Sequence, residues 1–336
     1  MRNDYVTPRE RDYLAKYLKK FYTYQFNERY TIFDFVRFFK KRHKGKMVYF
    51  GTGDEKVKRR VGSLQSMMLV SGSPGTGKSN FVLMTQILYG RPFNLRKNVV
   101  YLPKAMEISN KMRNLEFSTL NVDEAIKAMR NTNHYDKDQQ ETTMLAQTER
   151  FKANWIFFLI PNFREMTKSM REGSSEFRVV LLYRTETYAR VIVQQKSPNF
   201  RSDDPWGDKE ANFKYEKIIK RKKTITNTDK LKIERSLSNT VMDFMIPNLE
   251  LILPNVTARY LELKAESRID ELNSKQAERD KIDKWRDIIA PKLVRIIYDD
   301  TLGLREGARI TKKALKTELS ISNELLNKLL DKGRKL

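Results

Sequence analysis

From Met67 to about Gln195 the chain alternates short continuous apolar runs with segments whose apolar residues recur at helical spacing. Met67-Met68-Leu69-Val70-Ser71 is one run, and Asn80 to Leu88 after it has the spacing of a helix. Val99 to Leu102 predicts a strand, and Phe117 to Val122 a weaker one that ends at Asp123-Glu124. Ala125 to Arg130 and Gln139 to Arg150 read as helical. Trp155 to Ile160 is the strongest strand pattern of the chain and is stopped by Pro161. Phe177 to Tyr183 and Tyr188 to Gln194 predict a hairpin around Arg184-Thr185-Glu186. Strands alternating with helices predict an α/β fold with a mostly parallel sheet.

The flanks differ. Residues 1–43 are basic and rich in aromatics, and Tyr13, Tyr17 and Phe21 at i, i+4, i+8 predict a helix with an aromatic stripe. Such a stripe packs on a core or a neighbouring subunit more often than it stacks on bases. A strand at Lys46 to Phe50 and a charged loop from Gly51 to Arg60 follow. Residues 196–230 are polar, with Pro198, Pro205, Gly207 and the run Lys220-Arg221-Lys222-Lys223, which reads as a linker or basic loop. From Tyr260 to about Ile289 a sparse apolar stripe in a charged segment predicts a long exposed helix, a solvated connector. Near the C-terminus, Ile310 to Leu319 and Asn323 to Asp331 predict two short helices around Ser320-Ile321-Ser322. They fit either a helix-turn-helix-like pair, with Lys312 and Lys313 facing DNA, or a plain helical hairpin on the core. The expected organisation is a helical N-terminal segment (1–43), an α/β core (44–200), a basic loop and charged helix (201–290), and the C-terminal helical region (291–336).

Charge adds a partner to this picture. The 336 residues carry 66 Lys and Arg against 42 Asp and Glu, a formal net charge of +24. An excess of that size favours a polyanion, nucleic acid or an acidic membrane surface. Lys220, Arg221, Lys222 and Lys223 are therefore DNA-binding candidates. The absence of cysteine excludes a disulfide framework, a thiol nucleophile and a Cys-based zinc site. His43 and His134 are too few for a metal cluster. The charged, aromatic N-terminus has no leader pattern, and the longest apolar runs fall well short of the ~20 residues of a membrane span. A soluble, cytoplasmic protein is expected.

Between the first run and its helix lies Gly72-Ser73-Pro74-Gly75-Thr76-Gly77-Lys78-Ser79, which satisfies G-x-x-x-x-G-K-[ST] at every specified position. Strand, glycine-rich loop and helix are the setting that separates a working phosphate loop from a chance match. The glycines let backbone N–H groups close on phosphates, and the helix start adds partial positive charge. Lys78 is expected to reach the β- and γ-phosphates of ATP, and the Ser79 hydroxyl to bind Mg²⁺. Hydrolysis also requires a carboxylate for the metal and a group that polarises water. Asp123 and Glu124, at the end of a strand, supply both. The Trp155–Ile160 strand is expected beside the phosphate-loop strand, which brings Asn162 near the γ-phosphate as a sensor. Arg150 precedes that strand and, in a ring of subunits, would reach a neighbour's γ-phosphate.

On Gly72–Ser79, Val122-Asp123-Glu124-Ala125 and the run Arg150-Phe151-Lys152-Ala153-Asn154 leading into Trp155 to Phe163, the chain resembles P-loop ATPases of the FtsK–HerA DNA-pumping superfamily. The nearest branch is that of the zonula occludens toxin-like proteins of phages and archaeal elements. The resemblance covers about residues 62–195, and only the phosphate loop is highly specific. It implies a RecA-like core, a homohexameric ring, ATP-driven movement of DNA and an arginine-finger role for Arg150, and the leading expectation is a motor on double-stranded DNA. The chain departs from the family in its short interval between Lys78 and Asp123 and in lacking the membrane segment of the phage export members. The short interval leaves no room for the large insertions of the bigger translocases, and the lack of a membrane segment points to a soluble DNA-handling ATPase of a virus or mobile element.

Two other readings remain. Gly-Ser-Pro-Gly-Thr-Gly-Lys-Ser also suits AAA+ initiator-like ATPases with a C-terminal helix-turn-helix, although a strand hairpin stands where their helical lid would begin. A nucleotide-gated DNA-binding protein with little hydrolysis is the third.

Overall fold

The structure, a computed structural model, describes residues 4–24, 28–44, 46–50, 57–61, 66–101, 105–115, 118–126, 154–199 and 201–284. Two helices open it, α1 (Pro8–Tyr24) and α2 (Ile32–Lys44). β1 (Lys46–Phe50) and β2 (Val57–Val61) pair antiparallel as a separate ribbon. β3 (Ser66–Ser71) leads through the glycine-rich loop into α3 (Lys78–Tyr89). Then come α4 (Leu95–Asn98), β4 (Val99–Val100), α5 (Ala105–Asn114), β5 (Thr119–Val122) and β6 (Trp155–Ile160). The hairpin β7 (Phe177–Arg184) and β8 (Tyr188–Gln195) is followed by α6 (Asp208–Lys222) and α7 (Asn227–Arg235). The edge strand β9 (Thr240–Pro247), α8 (Leu249–Ile252) and α9 (Pro254–Lys284) complete the described chain.

The main sheet has seven strands in the order β4-β5-β6-β3-β7-β8-β9. β4 to β7 run parallel, and β8 and β9 are antiparallel additions at one edge. This mixed, mostly parallel sheet with helices on its faces is the expected α/β RecA-like P-loop NTPase core. β6 explains why the central strands read as unbroken apolar runs, since all six of its residues are buried. Trp155, Phe157 and Leu159 face one core, while Ile156, Phe158 and Ile160 face the other. A strand covered on both faces cannot alternate with polar residues. On the first face α3 buries every residue from Phe81 to Ile87, and α2 sends Phe39 onto Trp155 with ring centroids 4.9 Å apart.

Several expectations need correcting. In α1 the buried stripe is Leu14, Leu18 and Phe21, whereas Tyr13 is exposed; the aromatic period sat partly beside the true packing face. Val57–Val61, within and just past the expected charged loop, is a strand because β1 gives it a partner. The expected linker at 196–230 is mostly two helices, α6 and α7, the second opened by a capping box between Thr226 and Asp229. The sheet continues past residue 200 into β9. The long helix begins at Pro254, and its first turns are core: Val256, Tyr260 and Leu263 are buried.

Residues Met1–Ser267 form one compact unit and Arg268–Leu336 another. In the second, the described residues are helical to Lys284, with Ile269 and Leu272 exposed. The expected helices at 139–150, 310–319 and 323–331, together with Arg150, Lys312 and Lys313, lie outside the described residues. Among the described residues no helix is long and apolar enough to cross a membrane.

Candidate nucleotide site

Parallel strands bring the loops at their carboxyl ends together, and ligands of open α/β sheets bind in that crevice. Here the edge of the sheet collects the 72–79 loop after β3, Asp123-Glu124 after β5 and Asn162 after β6. β6 pairs in parallel with both β3 and β5, so the loop and the acid pair are separated by one strand.

The loop is built on glycine. Gly72, Gly75 and Gly77 have φ of +155°, +79° and +90°, which side-chain-bearing residues rarely adopt. Gly77 is also the N-cap of α3, and no side chain caps that helix. Its first-turn N–H groups are therefore presented toward the loop, as anion binding requires. Thr76 braces the turn by donating its hydroxyl to the Ser73 carbonyl at 2.8 Å. Lys78 donates its ammonium to the Gly72 carbonyl at 2.6 Å and to that of Ser73 at 3.0 Å. Burial holds the Lys78 ammonium below the usual lysine value; the Asp123 carboxylate opposes this and Lys264 adds to it.

Asp123 and Glu124 turn sharply off the sheet, with Glu124 at φ +51°. The Asp123 N–H donates to Val100 at 2.8 Å and the Ala125 N–H to Leu159 at 3.0 Å, so the two neighbouring strands fix the turn. Asp123 Oδ1 accepts the Glu124 N–H at 3.0 Å, and Asp123 is buried. Its other oxygen accepts from two residues that the sequence reading missed. The Tyr260 hydroxyl donates to Oδ2, and Lys264 Nζ donates to the same atom at 2.7 Å. Lys264 also lies 3.3 Å from Glu124 Oε1. Tyr260 shares a further hydrogen bond with the Ser79 side chain, and burial, with Asp123 beside it, holds its hydroxyl far above the usual tyrosine range. Tyr260 and Lys264 both fall in the segment expected to be a solvated connector, and only their spacing of four on the expected helix points to a shared face.

Asn162 lies at the correct end of β6, but its side chain is exposed and caps the short turn Phe163–Glu165 by accepting the Arg164 N–H at 3.0 Å. Lys220, Arg221 and Lys222 form the exposed last turn of α6, and Lys223 is its C-cap at φ +61°. Cations there complement the helix dipole as well as any ligand. Lys222 leans on Asp229 at 3.3 Å. A further arginine lies beside the loop: Arg184, at the end of β7, pairs with Glu250 of α8, and its Cδ would be 3.8 Å from a Cβ placed on Gly77.

Ser79 and Asp123 suit Mg²⁺ as a donor set. Both offer oxygen, and one phenol, Tyr260, hydrogen-bonds to both, so they lie within a single side chain's reach.

No protein-family model matches the chain, and no curated protein matches it by sequence. Among solved structures it is similar to the N-terminal domain of zonular occludens toxin from Neisseria meningitidis, at 14% identity and a TM-score of 0.30, over 40% of this chain and 85% of that one. It is similar to the genome packaging NTPase B204 from Sulfolobus turreted icosahedral virus 2 in complex with AMPPCP, at 7% identity and a TM-score of 0.28, over 39% and 92%. A likeness to the FIGL-1 AAA domain has 13% identity and a TM-score of 0.27, over 60% and 77%.

Proposed function

We propose that the chain is a Mg²⁺-dependent ATPase that moves double-stranded DNA and works as a ring of like subunits, six being the favoured number. One observation carries the reading: a complete phosphate loop at the end of a central strand faces an Asp-Glu pair across one intervening strand. The DNA half rests on the net charge of +24, the exposed cations at Lys220–Lys223 and the family resemblance of the loop and its flanks.

In this reading the N–H groups of residues 73–79 hold the β- and γ-phosphates. Lys78 moves from the Gly72 and Ser73 carbonyls onto the phosphate oxygens. Ser79 and Asp123 would hold Mg²⁺, which when bound supplies positive charge to the phosphates. Glu124 takes a proton from the attacking water as the water oxygen bonds to the γ-phosphorus and ADP departs. Asn162 orients that water once its side chain leaves the Arg164 amide. Arg150 of a neighbouring subunit stabilises the charge that develops on the transferred group.

The test is the ATP hydrolysis rate against the length and form of added DNA. Long double-stranded DNA is expected to raise turnover many-fold with little dependence on sequence, and rising salt to weaken binding steeply. Glu124→Gln is expected to keep nucleotide binding and to lose about 10²–10⁴-fold in turnover. Unchanged turnover in Lys78→Ala would overturn the site. Stimulation confined to particular DNA sites would favour the initiator-like reading, and DNA-linked function surviving Glu124→Gln would favour the nucleotide-gated binder.

A further inference from the structure

The acid pair is held by a helix that the nucleotide reading gives no task. Tyr260 and Lys264 stand one turn apart on α9 and share a face, anchored in the core by Val256 and Leu263. Asp123 Oδ2 receives both the Tyr260 hydroxyl and the Lys264 ammonium, the latter at 2.7 Å. The same ammonium is 3.3 Å from Glu124 Oε1, so a single positive charge spans the group expected to hold metal and the group expected to activate water. Tyr260 meanwhile hydrogen-bonds to Ser79, the other expected metal donor.

An ammonium and a hydrated Mg²⁺ ask for the same things from a carboxylate: negative charge and a free lone pair. Mg²⁺ demands near-octahedral oxygen geometry and gives up water reluctantly, so an ammonium already bonded to Asp123 Oδ2 competes with it for that oxygen. Like charges that close in a half-buried site repel by several kcal/mol at an effective dielectric near 20. We infer that Lys264, assisted by Tyr260, is a built-in occupant of the metal position: it holds Asp123 and Glu124 closed until metal and nucleotide arrive, and loading displaces it. Lys264 is thereby a positioning residue acting through the acid pair. Its release loosens the grip of the 254–267 turns on the site, so α9 reports whether the site is loaded. This rests on the proposed nucleotide site.

Two measurements on the full chain test it. Mg²⁺ is titrated calorimetrically in saturating ATPγS, and amide exchange is followed across residues 255–267. Lys264→Met and Lys264→Gln are expected to bind Mg²⁺ at least about five-fold tighter than the parent, with Lys264→Arg close to it. In the parent protein, residues 258–266 are expected to exchange faster with Mg²⁺ and ATPγS than with ATPγS alone. Unchanged or weaker Mg²⁺ affinity in folded Lys264→Met overturns the inference. If that variant does not fold, the parent's exchange decides, and no increase overturns it. Failure of the parent to bind ATPγS at all removes the nucleotide site itself, a separate result.

Discussion

Replacing Gly72 with alanine probes the tightest point of the phosphate loop with no nucleotide present. A Cβ there would stand 2.7 Å from Thr76 Oγ1, 2.8 Å from the Leu181 carbonyl oxygen and 3.1 Å from Leu181 Cβ. Thr76 can turn away only by giving up its 2.8 Å bond to the Ser73 carbonyl. The Leu181 carbonyl cannot turn away, because it belongs to β7 in the middle of the sheet. Crowding of this kind costs about 1–3 kcal/mol. Holding alanine at a φ of +155° costs about 1–3 kcal/mol more. The sum is about 2–6 kcal/mol. Gly75 and Gly77 are internal controls. At Gly75 (φ +79°) nothing lies within 4 Å of the added carbon, and at Gly77 (φ +90°) the nearest atom is Ala189 Cβ at 3.5 Å, an ordinary contact. Each should lose only the left-handed backbone cost, about 1–2 kcal/mol. Urea unfolding of the three nucleotide-free variants gives the order directly. Gly72→Ala should be the least stable of the three by about 1 kcal/mol or more. A Gly72→Ala midpoint level with that of Gly75→Ala would refute the claim that β7 packs against the loop.

Arg190 is fully buried on β8 and pairs with Asp243 and, at 2.5 Å, with Glu28. Arg190→Met should cost about 3–5 kcal/mol in urea unfolding by leaving two acids short of a partner, and adding Glu28→Gln with Asp243→Asn should restore most of it. Burial raises the Glu234 carboxyl above its ordinary value and Asp208 adds to this, against Tyr215, Arg178 and Gln194. The folded chain therefore binds this proton more tightly than the unfolded one. The associated stability is complete below the ordinary glutamate value of 4.5 and is lost as pH rises through the raised one. Glu234→Gln should flatten the fall in melting temperature as pH rises above the ordinary value of 4.5, and an unchanged slope would count against it.

The central strands and the phosphate loop were legible because full burial on both faces leaves only apolar residues, and because a fixed glycine spacing has few other uses. β5 looked weak for a reason visible only in three dimensions. Its Thr119 hydroxyl accepts from Gln86 Nε2 at 3.2 Å and its carbonyl from Asn98 Nδ2 at 2.8 Å, so polar residues from α3 and α4 satisfy the Thr119 that interrupts its apolar pattern. β9 escaped notice because Asp243 interrupts its apolar pattern, and that charge is matched by Arg190 and Arg235. α6 buries only Ala211 and leaves Phe213 and Ile219 exposed, so it shows no stripe. Thr226-Asn227-Thr228-Asp229 at the start of α7 is a readable capping signal that the surrounding lysines obscure. Tyr260 and Lys264 lie 137 and 141 residues from Asp123, beyond the reach of any local pattern.

The two lysines of the site stand in different relations to Asp123, and the difference has a chemical use. Lys78 is tied to neutral carbonyls of its own loop, at 2.6 and 3.0 Å. Those bonds are weaker than a charged pair, so an arriving phosphate takes the ammonium readily. Lys264 is tied to a carboxylate at 2.7 Å, a charge-assisted bond that phosphate alone does not replace. Burial already weighs against a charged Lys78, and Lys264 adds to that burden, which makes the region short of negative charge once Asp123 has been shared. In the proposed site a nucleotide would bring that charge, and metal would then compete with Lys264 for Asp123 on better terms. On the proposed site, the placement of these two cations predicts binding in the order nucleotide, then metal at Asp123. The loop motif specifies one of them, and the other comes from the first turns of α9.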